Sequence, residues 1–503
     1  MSKTLALVLM AGGLLSAAPK KPKLVVAVVI DQFRYDYLTR YRADYHGGFD
    51  LLLTKGAVFT NARYQQFPTV TAVGHSIFLS GATPALSGII ANTWYDRDEQ
   101  MEVTSVSDPE TTLVGGSGAG SSPRRMLVDT VGDELKMADN SQSRVIGISL
   151  KDRAAILPAG HMANAAYWFD NKSGNFVSST YYFAEAPAWV KEANAARPAD
   201  RYAGQTWLGH RMPQPGALYN ALEATPYGND LVEGFAERAL AGEQLGQRGV
   251  TDLLAVSFSS NDYVGHTYGP DSPEARAISV ATDELLGKFF GALDRAVGLD
   301  NVLVVVTADH GVAPVPELNQ ARHMPGGRMP EGIIAKTVQE ALSAKYGKFD
   351  WITAVEESEV YLNRELVAAR KLDLAEVERT AAQALRGVPH IFRVYTGVQL
   401  ASGQALEESV GRLMMNGYYP HRGADLEVLP EPYWMFSRTG TTHGVTFGYD
   451  THVPVIFLGS GIRAGEYDNN ITPYDIAPTL ATILRVETPS GSIGRVLVEM
   501  FAQ

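Results

Sequence analysis

Apolar and polar positions along the chain fall into two kinds of block. Short, almost continuously apolar runs occur at 24–30 (LVVAVVI), 144–150 (RVIGISL), 251–259 (TDLLAVSFS), 301–307 (NVLVVVT) and 453–459 (VPVIFLG). They lack polar alternation and are rich in β-branched residues, which predicts strands buried on both faces of a sheet. Longer stretches with helical periodicity lie between them, at 33–56, 125–138, 229–247, 272–297, 333–346, 374–386 and 473–484, with a further helix after residue 71 and a short strand at 57–60. Strands alternating with helices predict an α/β fold with a mainly parallel central sheet flanked by helices. Residues 93–123 are rich in Gly, Ser and Asp and read as loop. The aromatic pieces AAYWFD and NFVSSTYYF within 162–186 read as part of a cap over the sheet. Insertions near 93–140, 160–228 and 320–438 thus interrupt a single domain spanning 19–503.

Composition changes this picture at the N-terminus. Lys3, the apolar run from Leu5 to Leu15 and the small-residue exit Ser16-Ala17-Ala18 form a signal-peptide pattern over 1–18, too short for a membrane span. It predicts export, to the periplasm or beyond, with no membrane anchor. The chain has no cysteine, so export is not accompanied by disulfides and the core, with any bound metals, must hold the fold. A hydrophobic fraction of 45% with 19% charged residues is that of an ordinary globular protein. The net charge of -12 argues against nucleic acid as a specific partner and leaves a small anionic substrate open. No heptad or repeat indicates an oligomeric state.

The chemistry-bearing residues gather at one kind of place. Asp31, Asp262, Asp309 and His310 stand at or just beyond the carboxyl ends of predicted core strands, where open α/β sheets bind ligands. His266 follows Asp262 by four residues, and His443 lies in GTTHG just before the last core strand. Singly, each has an ordinary explanation as a cap, a turn or a packed histidine. Together they supply enough carboxylate and imidazole for two metal ions, and a thiolate-free set of this kind suits zinc. Thr71 begins an apolar helical run. It is either an N-cap or a nucleophile placed where helix amides meet an anion. Lys151 and Arg153 end the 144–150 strand, either as a solvated charged turn or as an anion clamp.

The set IDQFRYDY, FPTVTAVGH, GIIAN, NDYVGH, TADHG, TTHG and DIAPTLA, in this order over nearly the whole mature chain, resembles the alkaline phosphatase superfamily. The likeness is to its nucleotide pyrophosphatase/phosphodiesterase branch, and within it to bacterial threonine-nucleophile alkaline phosphatases. The resemblance implies a catalytic α/β domain with two zinc ions. One would be held by Asp262, His266 and His443, the other by Asp31, Asp309 and His310, with Thr71 completing the second. His452, in YDTHVP, is an alternative last histidine, and the His-Gly pair at 443–444 favours His443. The resemblance further implies a phosphothreonine intermediate on Thr71, with Asn92 holding a phosphate oxygen. Two divalent ions balanced by three aspartates and an alkoxide leave the pocket near neutral. Lys151 and Arg153 would then favour a phosphate monoester dianion over a diester, and the string GISLKDRAAIL resembles the Lys-x-Arg signature of the monoesterase group. A phosphodiesterase with the same core is the alternative, with Phe67 available to stack on a substrate ring. A sulfatase would need a Cys or Ser nucleophile context that is missing, and a lipid phosphotransferase would need an anchor. A non-catalytic metal- or phosphate-binding protein would have no use for Thr71.

Overall fold

The computed structural model describes residues 21–502, so the signal segment expected at 1–18 lies outside the described residues. Eleven strands form the main sheet. They are β1 (Leu24–Ile30), β2 (Ala57–Arg63), β3 (Ser107–Val114) and β4 (Ala119–Ser121), then β5 (Val145–Ser149), β6 (Ala165–Asp170) and β7 (Asn175–Ser179). After these come β8 (Asp252–Phe258), β9 (Val302–Thr307), β10 (His452–Gly459) and β11 (Gly465–Tyr467). The order across the sheet is β11-β2-β10-β9-β1-β8-β5-β6-β7-β3-β4. The five central strands, β9, β1, β8, β5 and β6, are parallel. Antiparallel strands extend the sheet on both sides, β10 on one and β7, β3 and β4 on the other.

The continuous hydrophobicity of β1 follows from its place in the middle. Leu24, Val26, Val28 and Ile30 pack on one side with Leu231 and Phe235 of helix Pro226–Gly242 and Leu286 and Phe290 of helix Pro273–Val297. Val25, Ala27 and Val29 pack on the other with Phe78 and Leu79, on α1 (Thr71–Ser80), and with Ile476, Leu480 and Leu484. The register, Ile30 opposite Phe258 and Val29 opposite Thr307, brings the carboxyl ends of β1, β8 and β9 level. Asp31, Asp262 and Asp309 therefore leave the sheet along one rim.

Several local expectations are corrected. The stretch 93–123 is not loop: it holds the hairpin Thr93–Asp96 with Met101–Thr104 as well as β3 and β4. Its Gly, Ser and Thr content suits a strand region at the edge of the sheet and masked the pattern. AAYWFD and the start of NFVSSTYYF are β6 and β7 of the main sheet, because Tyr167, Trp168 and Phe169 are buried there. The helix expected over 33–56 is broken into Asp36–Arg40, a 3₁₀ turn and Gly48–Lys55. At the break, the buried Asp283 carboxylate accepts the backbone N–H groups of His46, Gly47 and Phe49 at 2.8, 2.7 and 2.7 Å. The helix expected over 125–138 begins only at Val131, where Thr130 and Asp133 form a capping box.

Within 320–438 a separate four-stranded sheet forms from Ile352–Glu356, Glu359–Leu362, Leu426–Pro430 and Ile391–Thr396. Helices Ile333–Tyr346 and Leu374–Leu385 cover it around an apolar cluster that includes Val338, Trp351, Val377 and Leu426. The turn between its first two strands, Glu357-Ser358, reaches back to the rim of the main sheet.

Candidate active site

Thr71 is the first residue of α1, and the extended Val70 before it offers no side-chain cap. The capping duty falls to Asn92, whose Oδ1 accepts the Ala72 N–H at 2.8 Å. That bond turns the Asn92 amide so that its NH₂ group stays available as a donor. The Thr71 hydroxyl makes no hydrogen bond among the described residues, and the residue is only 2% exposed. The N-cap interpretation of Thr71 is therefore not what its geometry shows. One turn along, His75 gives its Nδ1 proton to the Thr71 carbonyl at 2.9 Å, while its Nε2 meets Ser257 Oγ at 3.0 Å. Gly74 lets α1 lie against the next ligand loop, since a Cβ there would overlap the backbone of Asp309.

Two groups of metal-competent side chains stand beside Thr71. The first is Asp262, His266 and His443, whose ligand atoms lie within 4.8 Å of one another. Asp262 and His266 are one turn apart on α2 (Ser260–Tyr268). The His266 and His443 Nε2 atoms stand 3.2 and 3.7 Å from Asp262 Oδ1. Both rings give their Nδ1 protons to backbone carbonyls, His266 to Thr441 at 2.9 Å and His443 to Thr69 at 2.8 Å. A carbonyl only accepts, so Nδ1 carries the proton in each ring and Nε2 is the nitrogen left to face the site, as a metal requires. Burial lowers the His443 pKa, and the neighbouring His310 and His266 push it further, keeping that ring neutral.

The second group, within the same distance limit, is Asp31, Asp309 and His75. The set expected from the sequence had His310 in this place. The two histidines differ in what is left to coordinate. Both His75 nitrogens are taken, whereas His310 gives its Nδ1 proton to the Gly311 carbonyl at 2.9 Å and its buried Nε2 has no partner. Asp309 Oδ2, 3.2 Å from that nitrogen, is likewise buried and without a hydrogen bond. Burial works against charge on His310, but Asp309 raises its pKa to about 9. These two atoms, orphaned from every other group, therefore face each other across a place for a cation, whether proton or metal. The donor chemistry and these orphans fit a metal at Asp31, Asp309 and His310, with His75 fixing α1 beside it. His452 stands apart: its ring stacks on Tyr35 at 4.5 Å and its Nε2 meets the Thr60 carbonyl.

Lys151 joins the two groups. Its buried ammonium lies 3.0 Å from Asp31 Oδ2 and 2.6 Å from Asp262 Oδ2. Burial alone would lower the lysine pKa, but Asp262 and Asp31 overcome it and raise it. Burial likewise works to raise Asp262, yet Lys151 and the two histidines hold it well below the usual carboxylate range. Arg153 is not drawn in. Its guanidinium pairs with Asp152 at 3.8 Å and touches neither group, although it is near enough to act on the charge of Lys151. Phe67 packs in a separate apolar cluster with Tyr395, Leu400 and Met414.

Sequence reasoning passed over Gln32. Its backbone N–H donates to Asp309 Oδ1 at 2.9 Å and its Nε2 to Asp262 Oδ1 at 2.6 Å, so one residue ties together carboxylates from both groups. It does so with φ at 60°, a costly conformation for a residue with a Cβ. Gly265 makes room for it, because a Cβ there would overlap Gln32 Oε1. Gln32 beside Asp31 and Gly265 beside His266 were visible in the motifs, but their joint purpose lies in the contact.

The family model for type I phosphodiesterases/nucleotide pyrophosphatases matches residues 25–450 of this chain. The chain is 35% identical to alkaline phosphatase PafA of Elizabethkingia meningoseptica, over 99% of this chain and 98% of that one. It is 36% identical to a protein of Myroides odoratus named as a calcium-transporting ATPase, over 96% and 95% of the two chains. A crystal structure of wild-type PafA superposes with a TM-score of 0.90 at 34% identity, covering 97% of this chain and all of that one. Among the described residues, no helix is long and apolar enough to cross a membrane.

Proposed function

The chain belongs to the type I phosphodiesterase/nucleotide pyrophosphatase family, and from that membership we propose that it is an alkaline phosphatase, a hydrolase of small phosphate monoesters. The observation that carries the proposal is the free Thr71 hydroxyl at the start of α1, beside two ligand groups bridged by the Lys151 ammonium. Two zinc ions would fit here, one held by Asp262, His266 and His443, the other by Asp31, Asp309 and His310 together with Thr71. When bound they would supply Lewis acidity, lowering the pKa of the Thr71 hydroxyl and offsetting negative charge that develops in the transition state.

Thr71 Oγ1 attacks phosphorus in line and the alcohol leaves with the ester oxygen, giving a phosphothreonine. Water then breaks the Thr71–phosphorus link, and Thr71 recovers its proton. Asn92, oriented by its bond to the Ala72 N–H, donates its amide to a non-bridging oxygen. With the carboxylates engaged by metal, the Lys151 ammonium turns its charge to the substrate, and Arg153 closes on it from the first turn of the next helix. That added positive charge favours a dianionic monoester over a monoanionic diester. The segment 1–18 supports export to the periplasm or beyond, and the inserted unit within 320–438 elaborates the single catalytic domain.

A phosphodiesterase using the same core is the second reading, supported by the name of the matching family. The mechanism is tested by acid-quenching the metal-loaded enzyme during turnover of para-nitrophenyl phosphate and mapping the phosphorylated peptide. Phosphate on Thr71, with none on Thr71→Ala and nearly all turnover lost while metal stays bound, is the expected result. Substantial turnover by Thr71→Ala would sink the nucleophile assignment.

A further inference from the structure

A cavity of about 310 Å³ opens beside His443, and the reaction as described gives it no task. Its walls come from two sources. Ala313, Thr442–Val445 and Tyr449 belong to the rim of the main sheet, while Glu357, Pro430, Trp434 and Phe436 come from the inserted unit. The rim side is fixed by hydrogen bonds, Thr441 Oγ1 to the Ala313 carbonyl at 2.7 Å and the Val312 N–H to the Tyr449 carbonyl at 3.0 Å. The Trp434 ring is fixed as well: it stacks on His390 with centroids 3.4 Å apart, and it lies so close to Gly327 that a Cβ there would overlap the indole. A smaller niche, about 40 Å³, adjoins this cavity. Glu357, Ser358 and Gly444 line both, and the niche also touches Val70 and Asn92, next to Thr71. Glu357, Ser358 and Gly444 thus stand between the space beside Asn92 and an aromatic chamber beside His443.

In-line displacement puts the attacking and leaving oxygens on opposite sides of phosphorus. With Thr71 completing the Asp31, Asp309 and His310 group, as proposed above, the leaving alcohol falls on the side of Asp262, His266 and His443, where the chamber opens. We infer that this chamber is the leaving-group subsite, that it takes an uncharged alcohol bearing an aromatic ring, and that Glu357 turns away leaving groups that are themselves anionic. The inference rests on the monoesterase reading above. Trp434, Phe436 and Tyr449 supply ring surface. Glu357 stands at the tip of the hairpin that carries it, with φ at 49°, and its carboxylate is close enough to His266 to feel the charge of that ring. Glu356 and Glu359 line the niche with it, so carboxyl groups crowd the side facing Asn92.

The test compares kcat/KM for phenyl, meta-carboxyphenyl and methyl phosphates in the metal-loaded enzyme. Glu357→Gln is expected to raise the carboxyphenyl-to-phenyl ratio about 5- to 10-fold, as removal of one like charge at short range would. Trp434→Leu is expected to lower the phenyl-to-methyl ratio about 3- to 10-fold, mostly through KM, as the loss of an aromatic contact would. Unchanged ratios in both variants would overturn the subsite assignment. The same comparison on diesters with phenyl and carboxyphenyl leaving groups separates the two claims. If the wild-type enzyme prefers diesters the monoesterase reading falls, while the leaving-group ratios still judge the chamber.

Discussion

At the scale of single residues, the site is a set of carboxylates that two unremarkable neighbours hold in place. Gln32 spends a left-handed backbone and a full side chain to reach Asp309 and Asp262 at once, and Gly265 exists in the helix to admit it. Outer-shell partners of this kind usually tune metal affinity by about 10- to 100-fold. Gln32→Ala, and Gly265→Ala through displacement of Gln32, are each expected to weaken metal binding by about that factor, measured by titration of the metal-free protein with zinc. Affinity unchanged in both would reduce Gln32 to a packing residue. The gathering of Asp31, Asp262, His266, Asp309, His310 and His443 was legible because residues at the ends of buried strands share a rim by topology alone. Gln32 and His75 were not, because their roles depend on a backbone angle and on which ring nitrogen is already engaged. Arg153 differs from its neighbour: Lys151 reaches both carboxylate groups, while Arg153 pairs with Asp152.

At the scale of elements, the parallel core was readable from apolar runs, whereas edge strands and broken helices were not. β3 and β4 hide in a Gly- and Ser-rich stretch, and the break before Gly48 is imposed from a distance by Asp283. The inserted sheet adds a property that no local pattern reveals. Glu359 and Glu427 stand directly opposite on adjacent antiparallel strands, both buried. Burial and then the charge of its acidic neighbour Glu357 push the Glu359 carboxyl up to about 8, and burial followed by Glu359 raises Glu427 well above the ordinary range. A carboxyl with a raised folded-state pKa binds more protons folded than unfolded. Its contribution is therefore present below the ordinary value of about 4.3 and is lost as pH rises through about 8. Glu427→Gln removes one member of the pair and is expected to flatten the fall in unfolding free energy between about pH 5 and pH 8, measured by urea denaturation. Parallel profiles for the two proteins would mean that the pair is relieved by contacts other than protonation.

At the scale of the whole molecule, an α/β core aligns the ends of three parallel strands, a helix sets a hydroxyl beside them, and an inserted unit closes a chamber over the far side. The same core serves monoesterases and diesterases, and fold alone does not choose between them. In the proposed reading the choice falls to charge: the Lys151 ammonium, buried between Asp31 and Asp262, would serve a dianion better than a monoanion. The most direct measurement is the ratio of kcat/KM for para-nitrophenyl phosphate to that for bis(para-nitrophenyl) phosphate at alkaline pH, on zinc-loaded protein and again after chelation. A ratio well above one, with both activities abolished by chelation and restored by zinc, is the predicted result. A ratio below one, or monoester turnover that survives removal of the metal, would contradict the account.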